Sequence, residues 1–111
     1  MDNTRQQKIA KLIQKELADI FLQDGLALYK SMITVTKTTV SSDLSIARGY
    51  LSLFQAADPD AVMKEIRTNT KDIRFRLGQK VKHQLRIVPQ LEFFIDDSLD
   101  YLEKIEKLLQ Q

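Results

Sequence analysis

The chain has 111 residues, 43% of them hydrophobic and 29% charged, and it has no cysteine. These values describe one globular domain with a single modest core, and they exclude disulfides, thiol nucleophiles and zinc–thiolate sites. The formal net charge of +2 hides a polarised chain: residues 64–86 hold eight basic and two acidic side chains, residues 1–63 hold seven of each, and residues 87–111 hold two basic and six acidic.

Thr4 and Gln7 have the spacing of a capping box. Ile9, Leu12, Ile13, Leu17, Ile20 and Phe21 recur at intervals of three and four, which predicts a helix over 4–23 that stops at Asp24-Gly25. Arg5 and Lys8 lie off this stripe and give the start of the helix a basic outer surface. The β-branched run from Ile33 to Val40 predicts a strand over 33–40, and Ser41-Ser42-Asp43 supplies turn chemistry. A second strand is expected over 45–54, with Ala47, Gly49, Leu51 and Leu53 on a buried face and Ile46, Arg48, Tyr50 and Ser52 on the outer one. The two strands should pair as an antiparallel hairpin.

Asp58-Pro59 reads as an N-cap followed by proline at the first helical position, opening a helix over 59–68. Thr68-Asn69-Thr70 puts three poor helix formers in a row, so the chain should kink there. Ile73, Leu77 and Val81 then restore a buried stripe on a helix over 71–84. Val88-Pro89 ends the helical run, a third strand follows over 90–95, and Asp97 caps a last helix over 98–109. The expected order is α-β-β-α-α-β-α. That is an α+β fold in which helices cover one face of a three-stranded sheet.

Enzyme signatures are poor. His83 has no catalytic partner placed by a motif, the glycines are isolated, and Asp96, Asp97 and Asp100 match helix capping better than a metal site. No catalytic residue, metal or cofactor is expected. No apolar run approaches the ~20 residues that span a bilayer, and no secretion signal is visible. A cytoplasmic monomer without membrane contact is therefore expected.

The basic segment offers more. At about 100° per residue, Lys71, Phe75, Gly78 and Lys82 fall together, opposite Ile73, Leu77 and Val81, with Arg74 flanking them. An aromatic among cations can stack on an unpaired base while its neighbours hold phosphates. The alternative is that Phe75 packs on the terminal helix or under the kink. Arg67, before the kink, and Arg86, at the end of the basic segment, are further RNA-binding candidates, and Lys80 lies near the other margin of the buried stripe. Arg5, Lys8 and Arg48 form secondary candidates.

Four stretches carry a family resemblance. They are I-Q-K-E-L-A at 13–18, S-x-D-L-x-x-A from Ser41 to Ala47, I-R-x-x-L-G from Ile73 to Gly78, and L-R-I-V-P-x-L-x-F-F-x-D-x-S from Leu85 to Ser98. Together they resemble the ribosome-binding factor A family of bacterial small-subunit assembly factors. The resemblance implies a type II KH-like domain in which a helix–kink–helix replaces the usual GXXG loop. Asn69 and Thr70 stand where many members have a small apolar kink residue.

It further implies a non-catalytic factor that binds the 30S subunit through 16S rRNA. Such a factor supports late assembly and 5′-end processing, is most needed in the cold, and in some bacteria leaves the particle with help from an assembly GTPase. On this resemblance Asn69, Thr70, Lys71, Arg74, Phe75, Gly78, Lys80 and Lys82 are the candidate RNA-binding residues. A contrasting expectation is a protein-interaction module that docks through its terminal helices and does not touch RNA.

Overall fold

Ile9, Ile13, Leu17, Ile20 and Phe21 all lie buried along one side of helix α1 (Thr4–Asp24), as their spacing requires. The computed structural model describes residues 4–96. The helix expected over 98–109 and its Asp97 cap lie outside the described residues.

Asp24-Gly25 does not stop the first helix. The backbone widens into a π-helical turn, Gly25–Tyr29, and ends only where Lys30 takes a left-handed conformation at φ 55°. Gly25 is needed here for close approach: a Cβ would sit 2.7 Å from the Ser31 carbonyl oxygen. The turn carries Tyr29 into the core beside Phe21, with ring centroids 6.4 Å apart.

Strands β1 (Met32–Val40) and β2 (Ile46–Phe54) form the expected antiparallel hairpin, with an irregularity between Val35 and Lys37. Strand β3 (Gln90–Ile95) lies parallel to β2, so the sheet is mixed, in the order β1-β2-β3. Ala47, Gly49, Leu51 and Leu53 point into the core, while Ile46, Arg48, Tyr50 and Ser52 lie on the less covered face. The small residue at Gly49 admits the ring of Phe93 from the adjacent strand, 3.2 Å from where a Cβ would be, more closely than it admits Leu17 of α1.

Helix α2 (Pro59–Thr68) opens as its sequence dictates: the Asp58 carboxylate accepts from the Ala61 amide at 3.1 Å, with Pro59 in the first turn. Helix α3 (Thr70–Val81) follows after a single intervening residue, Asn69. It is three residues shorter than expected at its end. After Val81 the ladder tightens, with the Gln84 and Leu85 amides both donating to the Val81 carbonyl, a common way to satisfy terminal carbonyls.

Met63, Ile66, Ile73, Leu77 and Val81 bury the inner sides of α2 and α3 against α1 and the sheet. Helices α1, α2 and α3 therefore sit on one sheet face. Among the described residues no helix is long and apolar enough to cross a membrane.

Candidate nucleic-acid interface

The kink is built by side chains bonding back to nearby backbone. The Thr68 hydroxyl donates to the Lys64 carbonyl at 2.9 Å, and the Thr70 hydroxyl donates to the Ile66 carbonyl at 3.2 Å. Bonds of this kind bend helices. Asn69 sits between them at φ −92°, ψ 6°, in the bridge region. Its amide N–H still donates to Glu65 and Ile66, and its carbonyl accepts from Ile73. The hydrogen-bond path is thus nearly continuous through the bend. The Asn69 side chain donates inward to the Tyr29 hydroxyl at 3.1 Å, so this residue fixes the kink to the π-helical turn.

Beyond the kink, α3 presents an outward ridge. Phe75 is 66% exposed. Lys71 and Lys82 are exposed and form no hydrogen bond or ion pair with another described residue. Lys71, Arg74, Phe75, Gly78, Gln79 and Val88 line a shallow groove of about 350 Å³. A Cβ on Gly78 would lie 3.4 Å from the Val88 side chain, so glycine keeps the groove floor low. Phe75 does not pack under the kink, and the terminal helix, its other expected packing partner, lies outside the described residues.

Four other cations of the segment are engaged. Arg74 donates from Nε to the Pro89 carbonyl at 3.0 Å and from Nη2 to the Val88 carbonyl at 2.6 Å. Arg67 donates to the Phe93 carbonyl at 3.0 Å and, with Thr70, borders a second groove along β3. Lys80 lies against Asp19 at 2.6 Å and Glu16 at 3.7 Å, and its ammonium is held above the usual lysine range chiefly by the Asp19 carboxylate. Arg76 pairs with Asp24. Lys80 and Arg76 therefore bind α3 to α1, and only part of the net charge of the segment faces outward. The signal for this pairing is the acidic set Glu16, Asp19 and Asp24 on one flank of α1, a long-range match that helical phase alone does not reveal.

Arg86 is not at the kink. With Arg5 and Lys8 it borders a separate cavity of about 550 Å³ at the opposite end of α1. Two apolar residues of this cavity, Leu44 and Ile87, were not among the sequence candidates, although both lie inside the family-like motifs S-x-D-L and L-R-I-V-P. Arg48 lies on the outer sheet face and pairs with Glu92 at 2.9 Å. Beside it Tyr50 and Phe94 stack with centroids 5.6 Å apart, and the Lys37 ammonium lies 5.9 Å from the Tyr50 ring centre.

Among the described residues no group of three or more histidines, cysteines or carboxylates could hold a metal ion. What the kink and ridge offer chemically is recognition: an exposed ring, two ammonium groups with no partner among the described residues, and a low groove floor.

Comparison with known proteins agrees with this architecture. The family model described as ribosome-binding factor A matches residues 5–109. The chain is 42% identical to a ribosome-binding factor A of Cytophaga hutchinsonii over 98% of its own length and 83% of the relative. It is 45% identical to one of Flavobacterium johnsoniae over 98% of its length and 85% of the relative. The crystal structure of ribosome-binding factor A from Thermus thermophilus superposes with a TM-score of 0.69 at 18% identity, covering 81% of this chain and 94% of that one. Coordinates of the Thermus thermophilus factor fitted into a cryo-electron microscopy map of its complex with 30S give a TM-score of 0.62 at 21% identity, over 79% and 91% of the two chains. By the span of the family match and the identity to relatives matched over more than four fifths of their length, this chain belongs to the ribosome-binding factor A family.

Proposed function

We propose that this chain is a non-catalytic maturation factor that binds the small (30S) ribosomal subunit through 16S rRNA and acts late in assembly, supporting 5′-end processing. The observation that carries this reading is the outer side of α3, where Phe75 stands exposed beside the Gly78 groove with Lys71 before it and Lys82 after it, two lysines without a partner among the described residues. An aromatic ring can stack on an unpaired base, the ammonium groups can neutralise adjacent phosphates, and the glycine admits a sugar-phosphate backbone. The relative fitted into a map of its complex with 30S supports the choice of target.

In this reading Arg74, Arg67, Asn69 and Thr70 act through position. They hold the kink and the strand that follows it, while Lys71, Phe75, Gly78 and Lys82 meet the RNA. Lys80 stays with its carboxylates. The test is co-sedimentation with precursor small subunits. The Lys71→Glu/Lys82→Glu chain should lose association while keeping its fold. Undiminished association of that variant overturns the reading.

A second reading has one observation in its favour. Leu22, Leu26 and Met32 are exposed where α1 passes into the π-helical turn, an apolar surface suited to a protein partner. If the chain docks through this end without touching RNA, Leu22→Ser/Leu26→Ser abolishes association and the lysine reversals do not.

A further inference from the structure

The turn between β1 and β2 is held with unusual thoroughness. The Asp43 carboxylate accepts from the Ser41 hydroxyl at 2.7 Å, the Ser45 hydroxyl at 2.7 Å and the Ser45 amide at 3.1 Å. The Ser41 hydroxyl oxygen in turn accepts from the Ile46 amide at 3.0 Å. This network fixes Leu44 at φ 63°, a left-handed conformation that is costly for a side chain of its size. Backbone strain of this kind persists only where the surroundings over-determine it, and it clusters at ligand clamps.

Leu44 forms one wall of the 550 Å³ cavity. The same cavity is lined by Gln84, Leu85, Arg86, Ile87 and Pro89 of the strap that runs from α3 to β3. That strap is pinned at its end by Arg74, and the Gln90 amide bonds back to the Ser45 carbonyl at 2.9 Å. Ile9, Leu85 and Pro89 complete the apolar lining, and Ile87 is 75% exposed. Three cations stand around this lining: Arg5, Lys8 and Arg86. All three are exposed, and none forms a hydrogen bond or ion pair with another described residue. Among the described lining residues Asp43 is the one carboxylate, and its Oδ1 is turned to Ser41 and Ser45.

A cavity of this size with an apolar part and a few convergent charges is the usual form of a small-ligand site, and this lining suits a ligand that joins a flat apolar part to an anionic one. We infer that this cavity receives one unpaired nucleotide of a single RNA strand, the base lying between Leu44 and Ile87 and its phosphates meeting Arg5, Lys8 and Arg86. The inference rests on the RNA-binding reading above and extends it. Val88 borders the α3 groove while Ile87 and Pro89 border this cavity, so one strand following the strap could meet both sites.

The test uses the full chain and a fluorescently labelled hexauridylate carrying 4-thiouridine. Lys8→Glu/Arg86→Glu should weaken binding about tenfold, with a shallower salt dependence. Ile87→Ser, at an exposed position that leaves the fold intact, should weaken it about threefold. Photo-crosslinks should map to residues 84–89. Uridine monophosphate at equal nucleotide concentration should not compete, and if it displaces the oligomer the site takes free nucleotides and the inference fails. Unchanged affinity in both variants, with crosslinks only to residues 71–78, overturns the cavity and leaves the α3 interface standing. Failure of the unaltered chain to bind the oligomer overturns both.

Discussion

The Asn69 side chain donates to the Tyr29 hydroxyl at 3.1 Å across a separation of 40 residues. This bond ties the kink between α2 and α3 to the π-helical turn after α1. Burial raises the Tyr29 hydroxyl above its ordinary range, and the bond from Asn69 partly offsets that rise. Tyr29→Phe leaves a part-buried amide without its acceptor, which costs about 1 kcal/mol. In a domain of this size that is about 4–8 °C in Tm. A double-mutant cycle with Asn69→Ala measures the coupling. Additive losses would show that the bond does not hold the kink.

Arg74 carries two carbonyls of the strap before β3 on one planar group. Lysine cannot reproduce that fork. Arg74→Lys should therefore destabilise the chain by about 1.5–3 kcal/mol, the range for hydrogen bonds from charged donors, as read by urea denaturation. A loss near that of a surface substitution, within about 0.5 kcal/mol, would contradict the pinning of the strap.

Gly25 has no room for a side chain, because the Ser31 carbonyl would lie 2.7 Å from a Cβ. Gly25→Ala should cost about 1–3 kcal/mol, as overpacking does. The loss should appear in thermal unfolding and in faster amide exchange around residues 25–31. Neutral behaviour would mean that the π-helical turn relaxes freely.

Asp43 gives a prediction in pH. Hydrogen bonds from Ser45 and then Ser41 hold its carboxyl down at about 2. A folded value below the unfolded one means the bonds stabilise the turn wherever the unfolded carboxylate is ionised. That stability is lost as pH falls from about 4 through the folded value. An NMR titration should find a midpoint of about 2 for Asp43, rising toward the ordinary value in Ser41→Ala/Ser45→Ala. A midpoint at about 3.9 in the unaltered chain would contradict the network.

The parts of this fold that are legible in the sequence are those set by local periodicity. The apolar stripes of α1 and α3, the alternating faces of β2 and the Asp58-Pro59 helix start depend on spacings of a few residues, and they stand where those spacings put them. The kink at Thr68-Asn69-Thr70 was visible because three neighbouring side chains compete for backbone. The π-helical turn was not, since Gly25 reads locally as a stop and only the approach of Ser31 shows its use. The basic segment was legible in composition, but the allocation of its cations was not. A count of cations cannot tell Lys71, which faces outward, from Lys80, whose partners Asp19 and Glu16 lie more than sixty residues away. Nor can it bring Arg86 to Arg5 and Lys8, which depends on the path of the strap.

The measurement that tests the central claim most directly is the salt dependence of affinity for precursor small subunits, for the unaltered chain and for Lys71→Glu/Lys82→Glu. Contacts to phosphate release counterions, so log affinity should fall linearly with log salt, and losing two contacts should make the slope shallower by about 1.4. Affinity that does not change with salt, or an identical slope in the variant, would contradict the account.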